Sequence, residues 1–526
     1  MKYDDHHEVG IMRRYAFALI AAFQLVAIGC GSDDGHGSTT MNDALRLLPL
    51  HAEPDAVNGG RIVDSDGREV LLRGVNVNAL AEYWQGTDFP TTFPLTEDDA
   101  DLMAAIGWNV VRLLLSWSRV EPQPGVYDDG YLQQASDAVD MLARRGIYSI
   151  IDLHQDAWGA TLAARVDEQC TPPAEPAFGW DGAPEWATFD GNRPRCVENG
   201  VREFSPAVLF AFRSFWSDTA GPGGVGIRTR YAQMLGHVAG LFARTDAVAG
   251  YDIMNEPNVF RPADQTGFAA LYTDALRAIR AAEQQAGGHP HLILFEPSAL
   301  WSTFGMGPPP DFERDDNVVY APHIYTGGFD GGPITASAFE TAIQEAALFD
   351  GAPVLSGEWG AGPQRASDPR DPYFIEHQAL QDTHRISATL WTWRESCGDP
   401  HKAADYRAGR TPYVWGEFDV DCATNAVQGV RQDLVQQLTR AYVRAAPGRL
   451  TQTTYDFRSG TFITQGTASA PGGMLVVFYP ASRHGFPEPE ASGLEGVELL
   501  PAAGDNLYIV GRATGGSWSV RIGESP

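Results

Sequence analysis

The chain has 526 residues, which suits one large domain plus a smaller one; 44% of the residues are hydrophobic and 20% are charged. This composition is typical of a globular protein with a large buried core. Acidic residues number 67 against 38 basic ones, so the formal net charge is −29. Nucleic acid is therefore excluded as an expected partner, and no cluster of positive charge is available to bind anionic membranes.

The first 30 residues are predicted to be a targeting signal. Met12-Arg13-Arg14 precedes an apolar run over 15–29 that only Gln24 interrupts. This run is shorter than the ~20 apolar residues of a membrane-spanning helix and is typical of a secretory signal. Ala27-Ile28-Gly29-Cys30 resembles a bacterial lipoprotein box, which makes Cys30 a lipidation candidate. We expect an exported protein, either a cell-envelope lipoprotein with a lipid anchor in the membrane or a secreted protein.

Residues 31–55 are polar and rich in Gly, Ser and Asp, and they are interpreted as a flexible tether. Residues 61–72 alternate in polarity around Asp66-Gly67, which predicts a hairpin. Strand-like and helix-like patterns then alternate. The eight candidate strands cover 71–76, 109–115, 147–154, 250–256, 291–296, 317–325, 353–358 and 387–393, and the clearest helical patterns cover 129–145, 268–285 and 339–349. Eight strand–helix units predict an α/β fold, a (β/α)8 TIM barrel over 56–446.

Two further segments complete the predicted organisation. A long insertion at about 157–230 carries Trp158, Trp180, Trp186 and Trp216, and we interpret it as a wall of the substrate site. Short apolar runs separated by Gly, Pro, Ser and Asp over 447–526 predict a small antiparallel β-sandwich. We interpret this sandwich as a scaffold for the barrel in preference to a carbohydrate-binding module.

Four cysteines remain after Cys30. An even number in an exported protein indicates two disulfides, with three possible connectivities. Proximity in sequence favours Cys170–Cys196 and Cys397–Cys422. A zinc site is the alternative, but CxxC and HExxH spacings are absent from the sequence, so no metal is expected.

Two predicted strands end on a glutamate. They are Tyr251-Asp252-Ile253-Met254-Asn255-Glu256-Pro257 and Pro353-Val354-Leu355-Ser356-Gly357-Glu358-Trp359. The carboxyl ends of barrel strands meet at one mouth, and a pair of carboxylates there is what cleavage of a glycosidic bond requires. Asn-Glu-Pro alone is also a plausible helix start, but that reading does not explain Glu358. Glu296, also followed by proline, is interpreted as a residue that anchors a loop.

Other polar side chains are placed at the ends of further predicted strands. They are Arg112, His154, His323 and Tyr325, and the eighth predicted strand carries Trp391 and Trp393. One isolated residue of this kind is usually structural, but several aimed at one mouth indicate a binding site. Of Trp391 and Trp393, we expect one in the core and the other beneath a bound sugar.

This set of residues resembles the active site of glycoside hydrolase family 5. Several longer segments resemble its endoglycoceramidase branch: His154-Gln155-Asp156, Gly182-Ala183-Pro184-Glu185-Trp186, Phe212-Arg213-Ser214-Phe215-Trp216 and Cys397-Gly398-Asp399-Pro400-His401. The loop Leu80-Ala81-Glu82-Tyr83-Trp84 does not match that pattern.

The resemblance implies a retaining double displacement without a cofactor. Glu256 is the implied general acid/base and Glu358 the nucleophile, with the two carboxyl groups about 5 Å apart. Negative Glu358 is expected to raise the pKa of Glu256. Arg112 and Tyr325 are expected to keep Glu358 ionised, Asn255 to bind the sugar 2-hydroxyl, and His323 to position Tyr325 or the acid. His154, Asp156 and Trp391 are expected to bind substrate.

The substrate implied by the resemblance is a glycosphingolipid, cut between its oligosaccharide and ceramide. Trp158, Trp180, Trp186 and residues 207–212 are candidates for an apolar slot that holds the lipid. One alternative is a β-glucanase or β-glucosidase of the same family acting on other β-glucosides. Another, of a different class, is a non-catalytic glycan-binding surface lipoprotein, which would have no use for the glutamate pair.

Overall fold

Eight parallel strands form the centre of the fold in the computed structural model, as predicted. In chain order they are Arg73–Val77, Val110–Ser116, Tyr148–His154, Val248–Asp252, Leu292–Phe295, Val318–Tyr320, Leu355–Trp359 and Ser387–Leu390. Each pairs with its neighbour in sequence, and the eighth pairs with the first. The circle closes between the sixth and seventh strands, where the Tyr320 N–H donates to Pro353 O at 2.9 Å. The described residues are 40–305, 307, 309–329, 331–362, 368 and 370–523.

Helices follow most of the barrel strands and cover the outside of the barrel. The longer ones are Glu97–Ile106, Asp129–Ala143, Ile227–Phe242, Gln265–Ala286, Ala336–Ala346, Tyr373–His384 and Gln432–Leu438, and the shorter ones near the barrel are Trp117–Val120, Leu300–Phe304 and Ala403–Arg407. Local sequence explains the start of the first long helix, since Thr96 and Asp99 form a capping box there. No helix in the described part of the chain is both long and apolar enough to cross a bilayer.

Two antiparallel sheets form the predicted sandwich. The seven-stranded sheet contains, in spatial order, Leu50–Glu53, Arg61–Asp64, Arg68–Val70, Tyr442–Pro447, Met474–Tyr479, Asn506–Ala513 and Leu494–Ala502. The four-stranded sheet contains Arg449–Tyr455, Phe462–Ala468, Gly516–Ile522 and Glu490–Ser492. Apolar side chains from both sheets, including Val477 and Trp518, share one buried cluster.

The predicted domain boundaries need correction at both ends of the barrel. Residues 40–55 are not a tether, because Met41–Leu45 is a helix and Leu50–Glu53 is a strand. The predicted hairpin is present, but its strand Arg68–Val70 pairs with Tyr442–Pro447 and therefore belongs to the sandwich. The strand Tyr442–Pro447 also crosses the predicted domain boundary between residues 446 and 447. The predicted signal segment, including Cys30, lies outside the described residues.

The seven-stranded sheet packs against the amino-terminal ends of the barrel strands. Val110 and Leu292, which begin two barrel strands, share a buried cluster with Val476 and Phe478 of the sandwich. Gly107 lies at this junction with φ 96°, and a Cβ on it would come within 2.4 Å of the Phe478 ring. The sandwich therefore closes the end of the barrel opposite the carboxyl-terminal mouth.

The insertion after the third barrel strand has little regular structure. It contains a two-stranded sheet, Glu175–Pro176 with Cys196–Val197, and the helix Pro206–Trp216. The structure pairs Cys170 with Cys196 in this insertion, and Cys397 with Cys422 beside the hairpin Phe418–Asp421 and Ala426–Val430.

Candidate active site

The two predicted glutamates meet at the carboxyl-terminal mouth of the barrel. Glu358 is part of the seventh strand, and Glu256 follows the fourth strand after a short turn in which Glu256 itself has φ 40°. A carboxylate oxygen of Glu256 and one of Glu358 lie within 4.8 Å of each other. Such a separation is close to the ~5 Å of retaining glycosidases and shorter than the ~6.5–9.5 Å of inverting ones, so it suits a retaining mechanism.

Glu358 is held by a cation and a hydroxyl. Arg112 Nη1 lies 3.1 Å from its Oε1, and the Tyr325 hydroxyl donates to its Oε2 at 2.7 Å. The two contacts fix the two carboxylate oxygens of Glu358 in place. Its side chain is only 7% exposed, so the nucleophile has one fixed orientation in the cleft.

Arg112 is fully buried and connects Glu358 with the rest of the barrel interior. Besides Glu358, its guanidinium contacts three carboxylates and two amides, all within 3.1 Å: Asp152, Asp252, Glu296, Asn76 and Asn255. Bonds to this many barrel strands fix both the guanidinium and the acids around it.

Glu256 contacts two residues: His323 lies against its carboxylate, and the carboxylate of Glu296 binds its backbone N–H. His323 Nδ1 lies 2.9 Å from Glu256 Oε1, and the Glu256 N–H donates to Glu296 Oε2 at 2.8 Å. His323 Nε2 also lies 3.3 Å from Glu296 Oε1. Glu296 therefore anchors the turn that carries Glu256, which agrees with its interpretation from the sequence. Two roles were considered for His323, positioning Tyr325 or positioning the acid, and the structure contains its contact with the acid.

One electrostatic expectation was wrong. Although burial raises the pKa of Glu256, the hydrogen bond and positive charge of His323, with the charge of Arg202, lower it to about 2. The pKa of His323 lies well above its usual value, because the charges of Glu296 and Glu358 and the bond to Glu256 outweigh burial. His323 and Glu256 therefore share, across this 2.9 Å contact, the proton needed for leaving-group protonation, and the two groups titrate as one pair.

The opposite wall of the cleft carries the other predicted substrate-binding residues. The His154 ring stacks on Trp391 with centroids 5.4 Å apart, and its Nδ1 lies 2.7 Å from Asp152 Oδ2. Burial lowers the pKa of His154 to about 4, so its imidazole is neutral near pH 7. Asp156 accepts from Arg202 Nη2 at 2.6 Å.

Asn255 and the two tryptophans of the eighth strand region occupy different positions. Asn255 lines the cleft, but its Oδ1 accepts from Arg112 and its Nδ2 donates to the Gln155 carbonyl. Trp391 lines the cleft, whereas Trp393 is in the core and donates to Asp99. The expected division between a core tryptophan and a cleft tryptophan is therefore present.

The cleft has a volume of about 360 Å³. Its polar part is formed by the residues described above, and its apolar part by Val201, Phe204, Phe260, Leu300, Phe329 and Trp415. Val201, Phe204 and Phe329 are 40%, 46% and 58% exposed, so an apolar rim faces solvent at the mouth.

The expected apolar slot was mostly assigned to the wrong residues. Trp180 lines the cleft, but Trp158 and Trp186 pack around Trp117 in an aromatic cluster. Phe212 is buried against Trp158. The apolar part of the cleft instead comes from residues after the insertion's disulfide and from loops after the fourth, fifth, sixth and eighth strands, where isolated aromatic residues give no periodic signal.

Sequence reasoning also missed two basic side chains in the cleft wall. The Arg202 guanidinium lies 3.8 Å from the centroid of the Trp180 ring, and its Nε contacts Glu203. His401 bonds Asp399 at 2.7 Å and packs edge-on against Trp180. His401 lies within a segment that carried the family resemblance, so that signal was available, whereas nothing in the sequence distinguishes Arg202 from other surface arginines.

Three groups of histidine and acidic side chains in the described residues are close enough to consider as metal ligands. One is the catalytic cluster of Glu256, His323 and Glu358, which the contacts above already connect. The second consists of Glu395, Asp399 and His401. A buried lysine already contacts this group, because Lys402 Nζ lies 2.8 Å from Glu395 Oε2. The third combines His154, Asp156 and Asp181.

Comparison with known proteins agrees with this geometry. Residues 63–396 match the sequence profile of the family described as cellulase (glycosyl hydrolase family 5). The chain belongs to glycosyl hydrolase family 5. It is an O-glycosyl hydrolase that acts with retention, and the carboxylate pair lies where that family mechanism requires it.

Relatives in family 5 place the chain in the endoglycoceramidase-like branch. The endoglycoceramidase I of Rhodococcus hoagii is 26% identical over 493 residues, which cover 88% of this chain and 87% of that protein. A crystal structure of an endogalactoceramidase is 36% identical with a TM-score of 0.79, over 90% of this chain and 100% of that one. The lactosyl-enzyme intermediate of endo-glycoceramidase II from Rhodococcus sp. is 25% identical with a TM-score of 0.65, over 88% and 99%.

The proton held by His323 generates a prediction about pH dependence. In His323→Gln the high-affinity proton site is lost, and the pKa of Glu256 rises because its cationic neighbour is gone. The macroscopic pKa of the pair, however, falls from the raised value of His323 to that of Glu256 alone. We expect the basic limb of the kcat/KM profile to move to lower pH, measured with a soluble aryl β-glycoside whose leaving group requires protonation.

A matched control is His237→Gln, because His237 is half-exposed on an outer helix and pairs with Asp129 away from the cleft. Its pH profile should overlay the wild-type curve. An unchanged basic limb in His323→Gln would contradict the shared proton.

Proposed function

We propose that this family 5 enzyme cleaves the β-glycosidic bond between the oligosaccharide and the ceramide of glycosphingolipids. The observation that carries the proposal is the composition of one cleft, in which the carboxylate pair lies between a polar wall and an exposed apolar rim. A glycolipid has the same division between a hydrated glycan and an apolar aglycone. The family relatives named above, which include an endoglycoceramidase and an endogalactoceramidase, support the same substrate class.

The proposed reaction begins with attack of Glu358 on the anomeric carbon. Arg112 and Tyr325 hold the attacking carboxylate, and Glu256 transfers to the leaving ceramide oxygen the proton that it shares with His323. A covalent glycosyl-enzyme forms. Ionised Glu256 then removes a proton from water, which attacks the same carbon and releases the oligosaccharide with its configuration retained.

The polar wall is proposed to hold the sugar next to the cleaved bond. Trp391, stacked on His154, offers its ring to the sugar face, and Asp156 offers a carboxylate to sugar hydroxyls. Asn255, whose amide is fixed by Arg112 and Gln155, is placed to contact the 2-hydroxyl.

The alternatives weighed from the sequence are less favoured. A β-glucanase or β-glucosidase would use the same carboxylates but has no evident need for the exposed Phe204 and Phe329 at the mouth. A non-catalytic glycan-binding protein is not favoured, because the chain belongs to a hydrolase family and has its carboxylate pair in working geometry.

Substitution of each glutamate should separate the two catalytic roles. Glu358→Ala should abolish turnover, since no nucleophile remains. Glu256→Ala should lower turnover of natural substrates by about 10²–10⁴-fold, the usual contribution of a general acid or base. With a dinitrophenyl lactoside, whose leaving group needs no protonation, Glu256→Ala should accumulate a glycosyl-enzyme visible by intact-protein mass spectrometry.

Glu340→Ala is the matched control, because Glu340 is exposed on the helix Ala336–Ala346. It should behave as wild type. Turnover by Glu358→Ala near the wild-type rate would remove the nucleophile assignment.

The substrate class is tested by product analysis. Purified enzyme is incubated separately with lactosylceramide, mixed gangliosides and a β-glucan, and the products are read by mass spectrometry. We expect intact oligosaccharide and free ceramide from the glycolipids. Shortened glucan with untouched glycolipid would keep the mechanism and reject the proposed substrate.

The apolar rim provides a sharper version of that test. Phe204→Ser should raise KM for lactosylceramide in mixed micelles several-fold while kcat/KM for the soluble aryl lactoside changes little. Phe486→Ser, on an 83% exposed phenylalanine beside the sandwich, is the control. Equal effects of Phe204→Ser on both substrates would show that the rim does not hold lipid.

We also propose export with a lipid anchor on Cys30, since the lipoprotein box precedes a chain whose two disulfides suit an oxidising compartment. In a bacterial host, the wild-type protein should fractionate with membranes and its amino-terminal peptide should carry acyl chains by mass spectrometry. Cys30→Ser should lose both properties. An unacylated wild-type protein in the soluble exported fraction would favour simple secretion instead.

A further inference from the structure

Asp181 is a buried acid that has no role in the proposed reaction. It lies in the insertion between Trp180 and Gly182, and its side chain has no exposure to solvent. Neither of its carboxylate oxygens accepts a hydrogen bond from the described residues. A buried carboxylate without donors costs several kcal/mol if it is ionised, and proteins avoid that state.

The neighbours of Asp181 are mainly negative. The backbone N–H of Asp156 donates to the Asp181 carbonyl at 3.2 Å, which places the two acids side by side. A side-chain oxygen of each lies within 4.8 Å of the other and of a His154 ring nitrogen. The other groups that face Asp181 are the carboxylates of Asp152 and Asp399, the cation of Arg202, and the hydroxyls of Tyr83 and Tyr131.

Arg202 distinguishes the two neighbouring acids. Its Nη2 lies 2.6 Å from Asp156 Oδ1, and its positive charge offsets part of the burial that raises the pKa of Asp156 to about 6. Asp181 receives no such contact. Burial, together with the charges of Asp156 and Asp152, raises the pKa of Asp181 well above its usual range.

We propose that Asp181 is a positioning residue, held as a neutral carboxylic acid, that supplies a hydrogen-bond donor to the Asp156 carboxylate directly or through one water. Asp156 then has two donors on its protein side, Arg202 and Asp181, and its remaining oxygen lone pairs are directed to the cleft that it lines. Since Asp156 is proposed to bind a sugar hydroxyl, this inference rests on the proposed function for its effect on catalysis.

Two substitutions separate the neutral acid from an ionised one. Asp181→Ala removes the donor and should raise KM for the soluble aryl lactoside about fivefold, the value of one hydrogen bond, with a smaller change in kcat. Asp181→Asn keeps the shape and provides an N–H donor without charge, so it should restore most of that loss. If Asp181→Asn is as impaired as Asp181→Ala, a negative charge is required and the proposal is wrong.

Two measurements without substrate test the protonation state itself. The infrared difference between wild type and Asp181→Asn at neutral pH should contain the carbonyl band of a protonated carboxylic acid. A group with a raised pKa in the folded protein loses its stabilising contribution as pH rises. The Tm of Asp181→Asn relative to wild type should therefore increase with pH.

The opposite results would overturn the proposal. A missing acid band, or a wild type that becomes more stable than Asp181→Asn as pH rises, would show an ionised Asp181. Stoichiometric divalent metal in the purified wild type, lost in Asp181→Asn, would show that His154, Asp156 and Asp181 hold a cation instead. Because these readouts need no substrate, they remain valid even if the enzyme fails to cleave glycolipid.

Discussion

The rest of the active site depends on the contacts of one buried group, the guanidinium of Arg112. It has no exposure to solvent. Its partners lie on or directly after the first, third, fourth, fifth and seventh barrel strands: Asn76, Asp152, Asp252, Asn255, Glu296 and Glu358. A cation in such a place is tolerated only when several acceptors replace its hydration. The nucleophile is one of those acceptors, so its position follows from the requirement to satisfy Arg112.

The same interior contains more acids than cations. Burial raises the pKa of Asp152 to about 6 and that of Glu296 to about 8, and the positive charges of Arg112 and His323 oppose both shifts. His323 holds a further proton between Glu256 and Glu296. When Glu358 becomes esterified by the sugar, one negative charge near His323 disappears. The repulsion between the two catalytic carboxylates disappears with it, and this favours ionised Glu256 as the base of the second step.

The positions of the catalytic residues were predictable because strand ends can be read from local patterns. Apolar runs that finish on polar side chains identified Arg112, His154 and Glu358, and a parallel barrel brings such ends together by topology alone. The low pKa of Glu256 was not predictable, because it depends on His323, which is distant in sequence and becomes a neighbour only in the fold. The direction of the shift follows from that contact, together with the charge of Arg202.

The pairing of strands next to the barrel was also not predictable from local sequence. Alternation around Asp66-Gly67 indicated a hairpin, but alternation does not identify the sheet that a hairpin joins. Pairing of Arg68–Val70 with Tyr442–Pro447 assigned it to the sandwich. Asp181 illustrates a related difficulty. An aspartate in a loop is usually solvated, and only the complete packing around it shows that this one is buried without a donor.

The charge of the protein constrains how it reaches a membrane lipid under the proposed function. A formal charge of −29 repels anionic bilayers, so long-range attraction cannot bring the cleft to its substrate. Short-range apolar contact through Phe204 and Phe329, or attachment through Cys30, must do so. Neither the apolar contact nor the lipid anchor requires complementary charge on the membrane. Added salt should therefore weaken glycolipid turnover little and should increase it on anionic vesicles by screening the repulsion, whereas an enzyme guided by a basic surface would lose activity under the same conditions.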